Sequence, residues 1–350
     1  KTIDGDLQIG DLLPISFGFD TATKIYAEVA GNILQDTRSS LKYWHFIKLM
    51  GRSASHVAIE VALQVKPAVC IISEEVAEKK MSLASIVEQI AQTVVLRSKK
   101  GMNYGVVLIP EGLIEFIPEM NTLIAELNDQ LAHHADAFAA LADADKAGFI
   151  QGKLSAANAA LLASLPAYVV KMLLADRDSH GNLQVSLIPT EQLLVDMVKA
   201  RVKQIEATVP FAAHCHFLGY EGRCGAPTLF DAAYTYNLGL TAGSLILDGR
   251  TGYMATITGL TAGGTPQAIP LTGLLNIERR HGKDEFVIEK ALVKMDAPAM
   301  RYFASRRADW AAADLFASPG PRQLWGPAAQ QQPISVALNS KSESLAFKIG

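Results

Sequence analysis

A buried strand is predicted at Tyr43-Trp44-His45-Phe46-Ile47-Lys48-Leu49, because aromatic and β-branched residues dominate this stretch. Met50-Gly51-Arg52 follows at the carboxyl end of the strand. Apolar residues then recur at helical spacing, which predicts a helix from about Ser53 to Gln64. The three residues between strand and helix therefore occupy a turn, the usual place for ligand-binding groups in α/β proteins.

The same alternation of strand and helix continues along the chain. Two further short apolar runs, at 69–72 and 106–109, are separated by a predicted helix from Leu83 to Lys99. This order is typical of a parallel sheet with helices on both faces. The sequence therefore predicts an α/β fold, and it places Arg52 and Glu111 beyond the carboxyl ends of two strands.

Other segments are predicted with less regular patterns. Residues 15–23 are interpreted as a strand end and turn, followed by a helix from Ala22 to Ser39. Residues 121–203 are rich in alanine and predict an inserted, mostly helical unit. A helix is predicted at Leu229 to Ala242, and the turn at 248–253 should enter another strand.

Composition limits the class of protein. The chain has 350 residues, of which 49% are hydrophobic and 19% charged, and this balance is typical of a soluble globular protein. A net charge of -3 gives no general attraction for nucleic acid or for an anionic membrane. Three cysteines and the lack of a long apolar run favour a cytoplasmic protein with reduced thiols. His214 and His216 are interpreted as ordinary histidines rather than as metal ligands.

The first residues carry a second informative pattern. Lys1-Thr2-Ile3-Asp4-Gly5-Asp6-Leu7 combines two carboxylates, a hydroxyl and a cation around a glycine. Such a set suits phosphoryl transfer, in which one carboxylate accepts a proton and another holds Mg²⁺. Asp-x-Asp alone is also typical of a solvated turn. Further motifs are therefore needed to decide between the two interpretations.

Those motifs are present, and their order resembles that of the phosphofructokinases. They are Phe17-Gly18-Phe19-Asp20-Thr21-Ala22, Leu49-Met50-Gly51-Arg52-Ser53-Ala54-Ser55-His56, Ile109-Pro110-Glu111-Gly112-Leu113-Ile114-Glu115-Phe116 and Gly219-Tyr220-Glu221-Gly222-Arg223. The residues of these motifs are similar to those of the long, pyrophosphate-dependent members, and the resemblance runs from residue 1 to about residue 260. Several motifs in one order are far more specific than any single motif.

The resemblance implies a phosphofructokinase fold, with two Rossmann-like parallel-sheet domains and a mostly helical insertion. Residues 1–15 and 222–300 should build the donor domain, which binds pyrophosphate and is incomplete here. Residues 16–221 should build the fructose 6-phosphate domain, with the insertion at about 121–203, and 301–350 should form a carboxyl-terminal tail. Because the chain begins inside a motif, we expect a missing amino-terminal region with a glycine-rich phosphate loop.

The resemblance also assigns roles at the reacting phosphoryl group. Asp4 corresponds to the catalytic base, and Thr2 should hydrogen-bond a transferring oxygen. Asp6 should hold Mg²⁺, and Arg52 should stabilise the charge that develops in the transition state. Lys1 stands where the pyrophosphate-dependent members carry lysine and ATP-dependent members carry a small residue.

Further residues are assigned to the sugar phosphate. Met50 and Gly51 should shape the sugar pocket through their backbone, and Glu111 should accept hydrogen bonds from sugar hydroxyls. Arg223 offers a planar pair of donors to the 6-phosphate, and Tyr220 could bind the same group.

The resemblance predicts an enzyme that reversibly transfers a phosphoryl group from pyrophosphate to the 1-hydroxyl of fructose 6-phosphate, using Mg²⁺. We expect a homo-oligomer, either a dimer or larger, or a hetero-oligomer with a related subunit. Two alternatives remain open. One is an ATP-dependent phosphofructokinase, and the other is a noncatalytic regulatory subunit of the pyrophosphate enzyme.

Overall fold

The computed structural model describes residues 12–51, 54–175, 187–280, 283–288 and 291–319. The predictions for Lys1, Thr2, Asp4, Asp6 and Arg52 lie outside these residues.

The described residues form fourteen α-helices and eight strands. The helices are α1 (Phe19–Ser40), α2 (His56–Val65), α3 (Ser73–Glu78), α4 (Leu83–Ser98), α5 (Leu113–Phe116), α6 (Pro118–His133), α7 (Ala135–Ala139), α8 (Asp143–Gln151), α9 (Ala156–Ser164), α10 (Ala167–Leu173), α11 (Thr190–Ile205), α12 (Tyr220–Arg223), α13 (Leu229–Leu247) and α14 (Pro298–Ala312). The strands are β1 (Tyr43–Leu49), β2 (Val69–Cys70), β3 (Tyr104–Pro110), β4 (Ala213–Leu218), β5 (Tyr253–Thr258), β6 (Thr265–Pro270), β7 (Leu275–Arg280) and β8 (Lys283–Ile288).

Four strands form one parallel sheet in the order β2-β3-β1-β4. The predicted strand at 43–49 is confirmed as β1, which pairs with β3 on one side and β4 on the other. Helices at 56–65 and 83–98 confirm the predicted strand–helix alternation. The α/β prediction is therefore confirmed, with strand ends that differ from the sequence pattern by one or two residues.

Helices cover both faces of this sheet, because side chains alternate along a strand. Trp44 and Phe46 of β1 point into an apolar core that also contains residues of α4, α6 and α11. Ile47 and Leu49 point the other way, into a core shared with α1, α2 and α14. Six of the seven residues of β1 are buried, as expected for a central strand of a parallel sheet.

The prediction of a strand end and turn at 15–23 is wrong in its second half. Helix α1 begins at Phe19, three residues earlier than its apolar periodicity indicates. The physical reason is a distant carboxylate. Asp231, on α13, accepts hydrogen bonds from the backbone N–H groups of Gly18 and Thr21, at 2.8 and 2.7 Å. These are donors that the first turn of a helix leaves unpaired, so a side chain 210 residues away supplies the missing cap.

The residues after α13 form antiparallel hairpins. Strands β5 and β6 pair with each other, and so do β7 and β8. The predicted strand after the turn at 248–253 is confirmed as β5, whereas α13 continues to Leu247, beyond its predicted end at Ala242. A second parallel sheet is not among the described residues. In the same part of the chain, no helix is long and apolar enough to cross a membrane.

Candidate active site at the carboxyl edge of the sheet

Three strands of the parallel sheet end side by side. Leu49, the last residue of β1, is in register with Pro110 of β3 and with Leu218 of β4. Backbone hydrogen bonds continue this alignment past the strands, from Met50 N–H to the Leu218 carbonyl at 2.9 Å and from Glu111 N–H to the Leu49 carbonyl at 3.1 Å. The turns that follow the three strands are therefore held together at one edge of the sheet.

Glu111 joins the turn after β3 to the turn after β1. Its side chain is only 5% exposed, and its Oε2 accepts a hydrogen bond from the Gly51 N–H at 3.2 Å. A buried carboxylate needs such donors, since an unpaired charge away from water is costly. Glu111 thus fixes the backbone of the Met50-Gly51 turn in addition to presenting carboxylate oxygens at the site.

The turn after β4 lies against both β1 and α1. A Cβ added at Gly219 would lie 3.4 Å from the Met50 Cε, which is ordinary contact. A Cβ added at Gly222 would lie 2.4 Å from the ring of Tyr26, a buried residue of α1. The Tyr26 hydroxyl also donates a hydrogen bond to the Gly219 carbonyl. Short helix α12 therefore packs on α1 with no room for a side chain at Gly222.

Tyr220, Glu221 and Arg223 are the polar side chains that this turn exposes to solvent. Tyr220 is 64% exposed, and the guanidinium carbon of Arg223 lies 5.9 Å from the centre of the Tyr220 ring. Arginine and tyrosine in this arrangement attract each other through the ring face. A cation and a phenol that share one surface can bind the same anionic group.

The predicted residues within the described part of the chain converge on this edge. Met50, Gly51, Glu111, Tyr220 and Arg223 all follow strands β1, β3 or β4. Lys1, Thr2, Asp4, Asp6 and Arg52 lie outside the described residues, so their roles stay predictions.

Among the residues that the structure describes, no group of three or more His, Cys, Asp or Glu side chains could hold a metal ion. The predicted Mg²⁺ ligand, Asp6, lies outside this part of the chain.

Sequence reasoning missed Tyr26 and Asp231. Tyr26 stands in the apolar pattern of α1, where a core role is the obvious interpretation. For Asp231 a signal existed: Thr228 precedes it by three residues, as in a helix-start motif, and the Thr228 hydroxyl accepts a hydrogen bond from the Asp231 N–H at 3.3 Å. The contact of the Asp231 carboxylate with α1 has no local signal, because it joins residues 210 positions apart.

Comparison with curated proteins finds long relatives. The chain is 49% identical over 346 residues to the pyrophosphate–fructose 6-phosphate 1-phosphotransferase of Treponema pallidum, a match that covers 97% of this chain and 60% of that protein. It is 45% identical over 349 residues to the beta subunit of the Ricinus communis enzyme of that name, covering 97% of this chain and 61% of that subunit. Identity to the alpha subunit from Solanum tuberosum is 34% over 354 residues, covering 97% and 56%.

The chain thus spans about three fifths of the length of these relatives. A family model described as phosphofructokinase matches residues 1–246, which include every motif at the carboxyl edge of the sheet. On this match over more than half of its length, the chain belongs to the phosphofructokinase family.

Proposed function

We propose that this chain carries the catalytic residues of a pyrophosphate-dependent phosphofructokinase. The reaction is the reversible transfer of a phosphoryl group from pyrophosphate to the 1-hydroxyl of fructose 6-phosphate, which yields fructose 1,6-bisphosphate and phosphate. The observation that carries the proposal is the convergence of Gly51, Glu111 and the Gly219–Arg223 turn at one edge of the sheet, with Glu111 bonded to Gly51.

The sugar phosphate is bound by residues of this edge. Arg223 gives parallel N–H donors to the 6-phosphate, and Tyr220 adds a hydroxyl to the same group. The contact between their side chains supports a shared anion site. Glu111 accepts hydrogen bonds from sugar hydroxyls, and Met50 and Gly51 bound the pocket through their backbone.

Residues outside the described part supply the chemistry in this proposal. Asp4 removes the proton of the attacking 1-hydroxyl, and Thr2 hydrogen-bonds an oxygen of the transferring group. Arg52, which follows Gly51 in the sequence, acts on the transferring phosphoryl group. Its cation balances the charge that grows on the equatorial oxygens.

Mg²⁺ is the expected metal. The proposed ligand, Asp6, offers carboxylate oxygens, which Mg²⁺ prefers. When bound, the ion would neutralise part of the charge of pyrophosphate.

The assembly follows the family pattern in this proposal. Residues 1–15 and 222–300 belong to the donor domain, and 16–221 to the fructose 6-phosphate domain with its insertion at about 121–203. Residues 301–350 form the carboxyl-terminal tail. The active form is a homo-oligomer, or a hetero-oligomer with a related subunit.

All three cysteines are free thiols, which supports a cytoplasmic location.

The alternatives differ in donor and in activity. Lys1 supports pyrophosphate over ATP, because its ammonium would lie where an adenosine-bearing donor needs open space. The chain resembles the catalytic, beta-like type of subunit, and its higher identity to a beta subunit than to an alpha subunit supports a catalytic rather than a regulatory role. Intact Asp4 and Arg52 support the same choice.

The donor assignment is tested with the complete enzyme, Mg²⁺ and fructose 6-phosphate, with either pyrophosphate or ATP. We expect turnover with pyrophosphate to exceed turnover with ATP by about a hundredfold or more. Lys1→Gly should lower pyrophosphate turnover by a similar factor, since a lost contact to a buried phosphate costs roughly 2 to 4 kcal/mol. The control is Lys146→Ala, which removes a lysine of the helical insertion that pairs with Asp143. Unchanged pyrophosphate kinetics in Lys1→Gly would contradict the donor assignment.

A further inference from the structure

We propose that Tyr26 is a positioning residue for the sugar-phosphate site: its hydroxyl holds the Gly219–Arg223 turn in place so that Arg223 and Glu111 face one ligand. This inference rests on the proposed function, because it concerns the binding of fructose 6-phosphate. Tyr26 lies on α1 and does not itself belong to the predicted site.

The first observation is the hydrogen bond of the Tyr26 hydroxyl. It donates to the carbonyl of Gly219, which also accepts the Gly222 N–H at 3.1 Å. The latter bond closes the single turn of α12. The tyrosine therefore bonds to the residue at which the Arg223-bearing turn leaves strand β4.

The second observation is the closeness of the two backbones. A Cβ at Gly222 would lie 2.4 Å from two carbon atoms of the Tyr26 ring, and a Cβ at Gly225 would lie 1.9 Å from the Ile25 Cδ1. Real Cβ atoms do not approach neighbours so closely. Gly222 in the turn and Gly225 just after it thus pack against two successive side chains of α1. This close packing allows the turn only one position on the helix.

The third observation is electrostatic. Burial raises the pKa of the Tyr26 hydroxyl well above its ordinary value of 10, and the negative charges of Glu221 and Glu111 raise it further, whereas Arg223 opposes them. The hydroxyl therefore stays protonated and remains a donor at physiological pH. The charges of Glu111 and Arg223, the two groups assigned to the sugar phosphate, both act on this hydroxyl.

These contacts explain how an exposed arginine keeps a fixed position. Tyr220 and Arg223 are both exposed, so apolar burial of their own side chains does little to fix them. The turn is fixed instead by the Tyr26 hydroxyl, which bonds to Gly219, and by the backbone bond of Met50 to Leu218, the residue before Gly219. A displacement of about 1 Å at such a site can cost a hundredfold in rate or affinity.

The test is Tyr26→Phe in the complete enzyme. The ring remains in the core, and only the hydroxyl is removed. We expect the Michaelis constant for fructose 6-phosphate to rise roughly 5- to 30-fold, because one buried hydrogen bond is lost and its carbonyl is left with one partner fewer. The value of kcat should change less than about threefold, and the Michaelis constant for pyrophosphate should not change.

The matched control is Tyr104→Phe. Tyr104 is also buried, and its hydroxyl donates to Asp314 at 2.6 Å, but it begins β3 and so lies at the opposite edge of the same sheet. This control should lose stability without a change in either Michaelis constant. If both variants raise the constant for fructose 6-phosphate equally, or if Tyr26→Phe lowers kcat alone, the inference is overturned.

A second variant covers the case in which Tyr26→Phe does not fold. Gly222→Ala leaves the tyrosine intact and forces the turn away from α1, so it should also raise the constant for fructose 6-phosphate selectively. An unchanged constant in a folded Gly222→Ala enzyme would overturn the inference. Failure of the unmodified enzyme to phosphorylate fructose 6-phosphate would contradict the proposed function instead, and this measurement comes before the variants.

Discussion

Arg223 and Glu111 reach the same edge of the sheet in opposite environments. Glu111 is buried and bonded to the Gly51 backbone, so its main structural effect is to fix a turn. Arg223 is exposed and contacts the ring of Tyr220. An exposed arginine contributes little to folding, since water already solvates its charge. Replacement of Arg223 should therefore affect ligand binding far more than stability.

We expect Arg223→Ala to raise the Michaelis constant for fructose 6-phosphate at least about tenfold while kcat stays within a few fold. A phosphate contact made equally in the ground and transition states contributes uniform binding. The measurement is steady-state kinetics of the complete enzyme. Arg306→Ala is a matched control, because Arg306 is also exposed and lies 5.9 Å from the ring of Tyr302 on α14. An unchanged constant in Arg223→Ala would remove this residue from the site.

At the scale of secondary-structure elements, β1 and β4 are joined by histidines as well as by backbone bonds. His45 of β1 is in register with His214 of β4. The His45 Nδ1 lies 2.8 Å from the His216 Nε2, and the two rings stack. Burial lowers the pKa of His45 to about 4, with help from His216 and His214 and against the charge of Asp36. Burial also lowers the pKa of His216.

These lowered pKa values predict that the free energy of unfolding decreases in acid. Unfolded histidine gains a proton near pH 6.5, whereas His45 in the fold resists protonation until about pH 4. The unfolded state therefore binds more protons between these values, and stability falls as pH falls through that window. The contribution of His45 is fully present above about pH 6.5 and lost near pH 4. The difference between 6.5 and about 4 corresponds to at most about 3.4 kcal/mol, and screening by water lowers the expected loss to roughly 2 to 3 kcal/mol.

The prediction is checked by unfolding the complete enzyme with urea at several pH values from 7.5 to 4. His45→Gln should lose less stability over this range than the unmodified enzyme, because its side chain does not titrate. His133→Gln is the control, since His133 is 68% exposed on α6. In this variant the free energy of unfolding should change with pH along the same slope as in the unmodified enzyme. Identical slopes for all three proteins would show that His45 is not protected from protonation.

At the scale of the whole molecule, Asp231 connects α13 to α1, the first helix of the described chain. Its carboxylate accepts the Gly18 N–H, the Thr21 N–H and the Thr21 hydroxyl, and the residue is 1% exposed. Nearby, the Thr228 hydroxyl donates to Asp20 at 2.6 Å. The starts of α1 and α13 thus satisfy each other's polar groups. In the proposed domain division, this contact joins the fructose 6-phosphate domain to the donor domain.

Asp231→Ala should lower the melting temperature of the complete enzyme by several degrees, because it leaves buried donors of α1 unpaired at a cost of roughly 2 to 4 kcal/mol. Differential scanning calorimetry measures this change. Asp248→Ala is the control, since Asp248 lies just after the same helix and its pair with Arg250 is mostly exposed. Equal melting temperatures for Asp231→Ala and the unmodified enzyme would contradict the proposed role of this carboxylate.

The sequence by itself determined the local architecture and the family. Apolar runs predicted β1 and β3, helical spacing predicted α2 and α4, and the ordered motifs predicted site roles for Met50, Gly51, Glu111, Tyr220 and Arg223. These signals are local, since each is written in the spacing of neighbouring side chains. Parallel strands bring their carboxyl ends to one edge, which is why Glu111 was expected there. Strand β4, which brings Tyr220 and Arg223 to the same edge, was not predicted from the sequence.

Only the tertiary structure decided the contacts that hold this site together. Tyr26 has the sequence signature of a core residue, yet its hydroxyl bonds to Gly219, 193 residues away. The start of α1 depends on Asp231, at a similar separation. Burial sets the low pKa of His45 in the same way. Hydrogen bonds between distant residues and the loss of water depend on packing in three dimensions, and neither leaves a periodic pattern along the chain.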